Sequence, residues 1–339
     1  MHLPPAPQPA PNARVRAHAP ALPLRVGTRG SPLALVQTRA FLAVLRQFCP
    51  VLRAMDVFEE HAITTTGDKV QDRRLAEIGG KGLFAKEIHE ALRERRIDFA
   101  VHSLKDLETT LPPGIVLACT LKREDARDVL VLAPGVPAPD RGAPFATLPA
   151  GATVGTASVR RQAQLLHARP DLRVTTLRGN VQTRLDKIAR SDVAASLLAL
   201  AGLRRLELEG RAAAVLDPDA FVPSAGQGIV GVTVRADDIE LRELLAGIED
   251  PEAKAVATAE RALLARLDGS CRTPIGGYAQ LSAGGLGEGS RLHLTGLVAR
   301  ADGSFLLKRS LSGAAADAAQ LGEELGASLR ADSPRDIFE

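Results

Sequence analysis

A cysteine held in a glycine-containing turn is the residue of this sequence best suited to nucleophilic chemistry. Residues 269–277 read GSCRTPIGG and directly follow a long helical pattern. A cysteine that serves as a small core residue normally has apolar neighbours, whereas Cys271 lies between Ser270 and Arg272. The charge of Arg272 favours the thiolate, which is the form that attacks electrophiles. The turn therefore predicts a reactive or modified thiol, with an inert loop cysteine as the alternative.

Several turns that open helices carry groups suited to binding anions. They contain Arg, Lys or hydroxyl side chains and occupy residues 28–32, 79–82, 156–161 and 177–180. The unpaired N–H groups and the dipole at a helix N-terminus already favour negative charge there. Four or five such turns in one chain predict a ligand with several negative groups. For each single arginine of these turns, an ordinary solvated helix position is the alternative.

The overall composition is that of a globular protein with several domains. The chain has 339 residues, enough for two or three domains that each bury a core. Its formal net charge is only +3, so bulk attraction to nucleic acid or to a membrane is not indicated. Eight of the 43 basic residues are Lys and the rest are Arg, which binds carboxylate and phosphate groups bidentately. With no Trp and one Tyr, the aromatic platform of single-strand nucleic-acid binders is missing.

The cysteines and the N-terminal segment bear on cellular location. Cys49, Cys119 and Cys271 are odd in number and have no paired spacing, which predicts a reducing compartment, the cytoplasm, and no metal site. No stretch has the pattern of a signal peptide or the length of a membrane span. Residues 1–23 are rich in Pro and Ala and predict a disordered extension. Because this segment carries Arg and no acid, a transit-like role is the alternative.

The elements that would position these residues alternate between strand and helix. Strands are predicted at residues 24–27, 58–66, 98–103, 116–121, 153–155, 172–176 and 229–234. After the first strand, Ser31 is a candidate N-cap and Pro32 the first residue of a helix that runs to about Phe48. The alternation predicts a doubly wound α/β domain with ligands at the strand ends, and a second α/β unit from Thr153.

The pattern changes after Pro251. A helix over residues 252–267 leads into the cysteine turn, and strands near 278–281, 291–299 and 304–310 precede a last helix over 314–330. This order predicts a small α+β domain of three strands and two helices.

Six motifs, taken in order, resemble the porphobilinogen deaminase (hydroxymethylbilane synthase) family over essentially the whole chain from Leu24. They are GTRGSPLA at 27–34, GGKGLF at 79–84, AVHSLKD at 100–106, GTASVRRQ at 155–162, LRGNVQTR at 177–184 and CRTPIG at 271–276. Six motifs in the right order leave little room for coincidence.

The resemblance implies a fold of two domains like those of periplasmic binding proteins, with a central cleft, and a small third α+β domain with a three-stranded sheet. In this sequence the first domain would comprise residues 24–122 and 229–246, because the family's second crossover returns the chain to it. The second domain would comprise residues 123–228, and the third, which carries the cysteine, residues 250–339.

The resemblance also implies the reaction. The family joins four porphobilinogen molecules head to tail with loss of ammonia, and hydrolysis then releases a linear hydroxymethylbilane for porphyrin and haem biosynthesis. A dipyrromethane cofactor, bound by thioether to the cysteine that Cys271 matches, primes the chain. A thiolate in an exposed turn is suited to trapping an electrophilic azafulvene, so the two interpretations of the turn agree. The expected partners are porphobilinogen and the growing chain, bound by a monomer without nucleic acid, membrane or metal.

The family's functional residues map onto this sequence one by one. Asp106 matches the catalytic aspartate, which assists loss of the amino group and stabilises positive charge on pyrrole nitrogen. By the same match the cofactor is held by Ser103, Lys105, Ser158, Arg160, Arg161 and Arg184, and the substrate and growing chain by Arg29, Ser31, Arg178, Lys81 and Arg205. Arg204 is the alternative to Arg205, since the two are adjacent.

Two positions depart from the family pattern. Glu108 stands where the family usually has Pro, which predicts a less rigid turn after Asp106 and an extra negative charge near a cationic site. Ser270 replaces one of two glycines before the cysteine, a change that is tolerated if that residue does not need positive φ.

Two other function classes compete with this interpretation. A non-enzymatic anion-binding protein of the flytrap type would share the cleft, but it would need neither Cys271 nor the Lys105–Asp106 pair. A phosphate-transfer enzyme that uses residues 79–82 is excluded, because Lys81 is followed by Gly and not by Ser or Thr.

Overall fold

The computed structural model describes residues 22–53, 57–70, 82–140, 142–267, 273–282, 284–287 and 289–338. Two predicted site residues, Lys81 and Cys271, lie outside the described residues. So do residues 1–21 of the predicted N-terminal extension.

The strands of the described chain are, in order, β1 (Leu24–Arg29), β2 (Phe58–Ile63), β3 (Phe99–Ser103), β4 (Ile115–Thr120), β5 (Asp128–Leu132), β6 (Thr153–Gly155), β7 (Arg173–Thr175), β8 (Ala195–Ala199), β9 (Ala214–Val215), β10 (Val230–Arg235), β11 (Ile275–Leu281), β12 (Arg291–Ala299) and β13 (Leu306–Ala314). The α-helices are α1 (Pro32–Phe48), α2 (Thr66–Lys69), α3 (Lys86–Arg93), α4 (Val159–Ala168), α5 (Val181–Ala189), α6 (Leu200–Arg205), α7 (Ile239–Ala246), α8 (Pro251–Arg266) and α9 (Ala318–Asp332). A single 3-10 turn, Leu104–Asp106, follows β3 directly.

The first sheet has the strand order β2-β1-β3-β10-β4. β1 is parallel to both β2 and β3, whereas β10 is antiparallel to β3 and β4. β3 is buried along nearly its whole length, in keeping with its apolar start, Phe99–Val101. Phe41 and Leu45 of α1 pack on this sheet in one apolar cluster with Phe99 and Val232.

The second sheet repeats this plan with the order β7-β6-β8-β5-β9. β6 is parallel to β7 and β8, and β5 lies antiparallel between β8 and β9. The chain crosses between the sheets twice: β5 is the first strand after it leaves β4 of the first sheet, and β10 returns to the first sheet after β9 of the second. The two crossover segments contact each other, since Leu121 N–H donates to Val230 O at 2.9 Å and Glu124 N–H to Gly228 O at 3.1 Å.

The third sheet is antiparallel, with the order β11-β12-β13. Helices α8 and α9 pack on it around Leu263, Leu325 and Leu329. The same apolar cluster includes Leu104 and Leu107, which flank the 3-10 turn after β3. The packing of the third sheet thus helps to fix that turn.

The predicted fold class is confirmed: two α/β units precede a small α+β unit with a three-stranded sheet. Ser31 caps α1 with Pro32 as its first residue, as predicted. The sequence analysis missed β5 and β8, because Pro-rich sequence follows β5 and no glycine turn marks the start of β8. The helix predicted to begin at the 79–82 turn begins only at Lys86.

Within the described part of the chain, no helix combines the length and apolar character needed to span a membrane. The same residues contain no cluster of three or more His, Cys, Asp or Glu side chains placed to hold a metal ion.

Candidate active site

A cavity of about 660 Å³ lies where the strand ends of the first two sheets face each other. All the predicted site residues that fall in the described ranges line it, and they are Arg29, Ser31, Ser103, Lys105, Asp106, Ser158, Arg160, Arg161, Arg178, Arg184 and Arg205. Residues that lie as much as 176 positions apart in the sequence (29 and 205) are thus brought to one space. The structure does not describe the two remaining predictions, Lys81 and Cys271.

Asp106 ends the 3-10 turn after β3 and pairs with Arg29 from the end of β1. Arg29 Nη1 lies 3.2 Å from Asp106 Oδ2, and the Asp106 side chain is 27% exposed. Leu104 and Leu107 on either side are buried, so the backbone of the turn is fixed while the carboxylate reaches the cavity. This arrangement presents a partly solvated carboxylate with a single cationic partner among the described residues.

Asp68 is a cavity residue that the sequence analysis missed. Its carboxylate binds the Arg29 guanidinium through Nε at 3.3 Å and through Nη2. Thr65 Oγ1 donates to Asp68 Oδ2 at 2.8 Å. Burial lowers the pKa of Arg29, but the bond to Asp68 and the charges of Asp68 and Asp106 outweigh it and raise that pKa overall. The signal in the sequence was the Thr-Thr-Gly-Asp turn after β2.

Phe84 covers the opposite face of the Arg29 guanidinium, with Arg29 Cζ 4.2 Å from the ring centroid. A cation over an aromatic face is attracted by the ring quadrupole. Arg29 is therefore held on three sides, by two carboxylates and one ring.

In the second sheet, a fully buried carboxylate holds two of the predicted arginines. Asp128 is 0% exposed. Arg160 Nη1 lies 2.7 Å from Asp128 Oδ2, and Arg161 Nη2 lies 2.7 Å from Asp128 Oδ1. Burial opposes the charge on Asp128, but the two guanidinium groups outweigh it and hold the pKa of this carboxyl well below its usual range. One negative charge thus orients two positive ones at the cavity wall.

The remaining donors of these two arginines bind backbone carbonyls. Arg160 Nη1 donates to Val222 O at 2.6 Å, and Arg161 Nη1 donates to Leu197 O at 2.8 Å. Ser158 caps α4 by accepting from Arg161 N–H at 3.4 Å, so the serine and both arginines share one helix N-terminus.

Lys105 lies beside Asp106 but points towards the second sheet. Its Nζ donates to Gln227 Oε1 at 3.2 Å. Burial lowers the pKa of Lys105 to about 8, helped by the charge of Arg161 and opposed by the charges of Asp106 and Asp128. This lysine therefore changes charge close to neutral pH.

Arg184 and Arg205 bring positive charge to the cavity without an ion pair to any described carboxylate. Arg184 Nε donates to Gly179 O at 3.0 Å, and Arg205 Nη2 donates to Gly228 O at 2.7 Å. Burial, together with the charges of Arg161 and Arg178, lowers the pKa of Arg184 to about 10. Burial also lowers the pKa of Arg205, with partial compensation by Glu124. An anionic ligand would strongly stabilise the positive charge of such buried guanidinium groups.

Arg178 is buried, with 6% of its surface exposed, and its Nη2 donates to Gly67 O at 2.9 Å. This bond links the second sheet to the turn that carries Asp68.

Arg204 and Arg205, the two alternatives for one predicted site residue, lie on different sides of their helix. Arg205 lines the cavity. Arg204 faces away, where it pairs with Glu124 at 2.8 Å and is 43% exposed.

The two serines of the first sheet are held differently. Ser31 accepts from Ala34 N–H at 3.3 Å as the cap of α1. Ser103 Oγ donates to Gln37 Oε1 at 3.0 Å. Gln37 also lines the cavity and was not predicted.

Glu108 lines the cavity next to Gly82, the last residue of the glycine turn at 79–82. A Cβ on Gly82 would collide with Glu108 Oε1, so the carboxyl group packs directly on the glycine backbone, which has φ +77°. Burial raises the pKa of Glu108, with Arg261 acting in the opposite direction. Arg261 Nη2 donates to the carbonyl oxygens of Glu108 and Thr109, at 2.7 and 3.0 Å, and so fixes the backbone after Asp106. The acidic group that departs from the family pattern thus lies at the cavity.

Histidines do not supply a proton donor at this site. His102 lines the cavity, but its Nε2 is 2.9 Å from Thr233 Oγ1 and burial lowers its pKa to about 3. Burial likewise lowers the pKa of neighbouring His89 to about 4. Both imidazoles are neutral at pH 7, so among the described residues of the cavity the carboxylates and Lys105 are the groups left to exchange protons.

The donor set suits a ligand with several carboxylates. Buried guanidinium groups, an ammonium group and helix N-termini face one space, and the described part of the chain compensates only some of their charge. A dipyrromethane with acetate and propionate side chains fits such a lining by charge, by donor type and by the size of the cavity.

Comparisons with known proteins identify the family. A sequence profile described as porphobilinogen deaminase, dipyromethane cofactor binding domain, matches residues 24–243. The profile of the porphobilinogen deaminase C-terminal domain matches residues 254–331. The porphobilinogen deaminase of Paracoccus denitrificans is 47% identical over 323 residues, which cover 94% of this chain and 97% of that protein. The porphobilinogen deaminase of Nitrobacter winogradskyi is 47% identical over 316 residues, which cover 92% of this chain and 94% of that protein.

Among solved structures, the VFT2 domain of BvgS from Bordetella pertussis has a TM-score of 0.40 at 16% identity. The match covers 70% of this chain and 91% of that one.

Proposed function

The chain belongs to the porphobilinogen deaminase family, and we propose that Asp106 is the catalytic carboxylate of its reaction. The protein is a transferase of tetrapyrrole biosynthesis. It joins four porphobilinogen molecules head to tail with loss of ammonia, and hydrolysis releases linear hydroxymethylbilane. Its dipyrromethane cofactor supplies the pyrrole position to which the first substrate is joined.

The observation that carries the proposal is the position of Asp106 between a fixed backbone and a cationic cavity. Its carboxylate can accept hydrogen bonds from pyrrole N–H groups, because Arg29 is its one cationic partner among the residues described. When the amino group of porphobilinogen leaves, positive charge develops on the ring, and a carboxylate already in place stabilises it. The neutral histidines His89 and His102 offer no competing acid.

We further propose roles for the cations on the cavity wall. Ser103, Lys105, Ser158, Arg160, Arg161 and Arg184 would bind the acetate and propionate groups of the cofactor, and Arg29, Ser31, Arg178 and Arg205 those of the substrate and growing chain. Their common place around one cavity supports this assignment. Attachment of the cofactor to Cys271 and substrate binding by Lys81 rest on the sequence motifs.

Arg29 would have to exchange partners in order to bind substrate. It is bound to Asp68 and Asp106, so an incoming carboxylate competes with two side chains for one guanidinium. Released from Arg29, the Asp106 carboxylate is free to bind pyrrole nitrogen. Substrate binding and activation of the catalytic carboxylate would then be one event.

We propose the domain division 24–122 with 229–246, 123–228 and 250–339, with residues 1–23 as an extension. The place of β5 in the second sheet and of β10 in the first sheet supports this division. We also propose that the enzyme acts as a cytoplasmic monomer. The free thiols Cys49 and Cys119 support the location in a reducing compartment. Sedimentation of the purified protein tests the monomer.

The experiment that tests the assignment is intact-mass measurement of the purified enzyme beside Cys271→Ala. We expect a mass excess of two linked pyrrole units in the parent protein and none in the variant. Cys49→Ala, which removes a free thiol elsewhere, is the matched control and should keep the excess. An excess that persists in Cys271→Ala would refute the attachment point. Failure of the parent protein to convert porphobilinogen to hydroxymethylbilane would refute the function.

A further inference from the structure

Gln227 is a buried residue on the turn that leads from the second sheet back to the first. It is 1% exposed, and it lies between two glycines with positive φ, Gly226 at +72° and Gly228 at +89°. A Cβ on Gly226 would lie 3.1 Å from the Lys105 backbone nitrogen, and one on Gly228 would collide with the Glu124 carbonyl. The turn is therefore packed against the catalytic turn on one side and the other crossover on the opposite side.

The partners of the Gln227 amide fix its orientation. Nε2 donates to Ala126 O at 2.6 Å and to Asp128 Oδ1 at 2.9 Å. Both of these atoms are acceptors only, so the amide nitrogen must face them and the oxygen must face away. That oxygen accepts from Lys105 Nζ.

From this geometry we propose that Gln227 is a positioning residue, which fixes the Lys105 ammonium at the cavity and separates it from Asp128. Without the amide between them, lysine and carboxylate would be free to pair. Asp128 already compensates Arg160 and Arg161, so a third cation would weaken its hold on both. Gln227 thereby allows one carboxylate to serve the arginines while Lys105 keeps its charge for the ligand.

The charged groups that face Lys105 are Asp106 on its own turn, Asp128 on β5, and Arg160 and Arg161 on α4. With burial they place the pKa of Lys105 at about 8, where a change of neighbour is easily measured. The inference rests on the role proposed above for Lys105 in holding ligand carboxylates.

Two variants of the purified holoenzyme test the proposal in opposite directions. The readout is acetylation of Lys105 by acetic anhydride between pH 6.5 and 10, resolved by peptide mass spectrometry, since only the free amine reacts. Gln227→Glu adds an acidic group beside the ammonium, in contact with Asp128 as well, and should raise the midpoint. Gln227→Met keeps the side-chain length but removes the oxygen that accepts from Lys105. The midpoint should fall, because the Lys105 ammonium loses this hydrogen bond. The apolar methionine side chain still separates Lys105 from Asp128.

Gln164→Met is the matched control. Gln164 is also a buried glutamine, bonded to Val222 N–H and Val222 O, but it makes no contact with Lys105. Its replacement should leave the midpoint unchanged. Midpoints that shift in the same direction in both Gln227 variants, that stay in place, or that shift equally in Gln164→Met would overturn the proposal. If one Gln227 variant does not fold, the direction in which the labelling midpoint shifts in the other variant tests the proposal.

The alkaline limb of kcat/KM against pH should move in the same sense as the labelling midpoint. Because acetylation requires no turnover, its result stands apart from the fate of Asp106 as the catalytic group. The labelling comparison holds whether the Asp106→Asn enzyme is active or inactive.

Discussion

The two five-stranded sheets share one plan but bring different charges to the cavity. In both, three parallel strands adjoin an antiparallel strand that has crossed from the other side. Among the described residues, all three carboxylates on the cavity wall, Asp68, Asp106 and Glu108, come from turns of the first sheet. The second sheet presents arginines there, and its one acid, Asp128, is buried behind them.

The equivalent strands make the contrast specific. β3 and β8 occupy the same place in their sheets. β3 ends in the 3-10 turn with Lys105 and Asp106, whereas β8 ends in α6 with Arg205. Under the proposed assignment a common framework serves two tasks: the first sheet carries the carboxylate that would meet developing positive charge, and the second carries the cations that would hold a polyanion.

The largest effect is expected from the acid of the first sheet. Asp106→Asn should lower kcat at least about 100-fold, because the amide cannot balance positive charge on the pyrrole. Thermal unfolding should be nearly unchanged, since the side chain is partly exposed. The measurement is steady-state porphobilinogen consumption, with Asp68→Asn, which removes the other carboxylate on Arg29, as the comparison. Normal turnover by Asp106→Asn would contradict the proposal that the first sheet supplies the catalytic carboxylate and the second sheet the arginines that bind the ligand.

The acid of the second sheet should matter for stability instead. Asp128→Asn leaves Arg160 and Arg161 buried without their shared counter-charge, which should cost about 3–5 kcal/mol of unfolding free energy. Urea denaturation measures this loss. Asp171→Asn, which breaks an ion pair of the same 2.7 Å length with Arg169 at the surface, is the control and should have no measurable effect. Equal losses in the two variants would contradict a special role for Asp128.

Arg184 should contribute to binding without contributing to the fold. Arg184→Leu should lower kcat/KM about 10- to 100-fold, the effect of losing one charge-assisted hydrogen bond to a ligand carboxylate. Stability should be unchanged or higher, because the buried guanidinium has no ion pair among the residues described. Arg190→Leu, at the exposed end of the same helix, is the control. A stability loss with unchanged kinetics would make Arg184 a structural residue.

The pH dependence of activity should report Lys105. With a pKa of about 8, the side chain loses its positive charge as pH rises through 8, so kcat/KM should fall on that alkaline limb. Lys105→Arg should keep the charge and move the limb to higher pH. The contribution of this group to stability has the opposite trend: the unfolded chain binds the extra proton between pH 8 and 10.5, so unfolding free energy rises with pH in that window. If the alkaline limb stays at the same pH in Lys105→Arg, the titration of another group causes it.

The smallest effect should come from Glu108, the acid that departs from the family pattern. Because burial raises the pKa of Glu108, Glu108→Gln should slightly increase thermal stability at pH 7. It should also slightly lower KM, since one negative charge leaves a cavity that binds carboxylates. Glu87→Gln provides a comparison, because that carboxylate accepts from Thr66 N–H at 2.9 Å and should be destabilised by the change. A higher KM in Glu108→Gln would show that the carboxylate helps to bind substrate.

Local sequence was sufficient for much of this site, and the reason is physical. Ser31 and Ser158 cap helices within their own turns, and their arginine neighbours follow within a few residues. Such positions depend on short-range backbone preferences, which a motif contains. The predicted site residues in the described parts of the motifs accordingly line one cavity, and so does Arg205, which lies outside the six motifs.

Long-range partners could not be predicted in this way. Asp128 belongs to a strand that the sequence analysis missed, and its pairing with Arg160 and Arg161 requires the antiparallel insertion of β5. Gln227 is opposite Lys105 only because the second crossover brings residues 122 positions apart into contact. Asp68 had a turn signal, but nothing in its vicinity indicated Arg29 as partner. The return of β10 into the first sheet was implied by the family resemblance and not by periodicity.

A single carboxylate in the third sheet's helix ties these distant parts together. Glu260 is 0% exposed and accepts from Arg123 Nη1 at 2.6 Å, Gly226 N–H at 2.6 Å and Ala279 N–H at 2.7 Å. Arg123 and Gly226 lie on the two crossovers, and Ala279 lies on β11. This joint needs segments that are as many as 156 residues apart, from Arg123 to Ala279.

The joint therefore has a consequence for the order in which the chain can fold during synthesis. Both α/β units can collapse from local contacts as they leave the ribosome, but the two crossovers cannot be joined through Glu260 until α8 has emerged. Until then Arg123 and the amide of Gly226 lack the acceptor that they share. We therefore expect the two crossovers, and the cavity beside them, to become fixed late in synthesis, after α8 has been made.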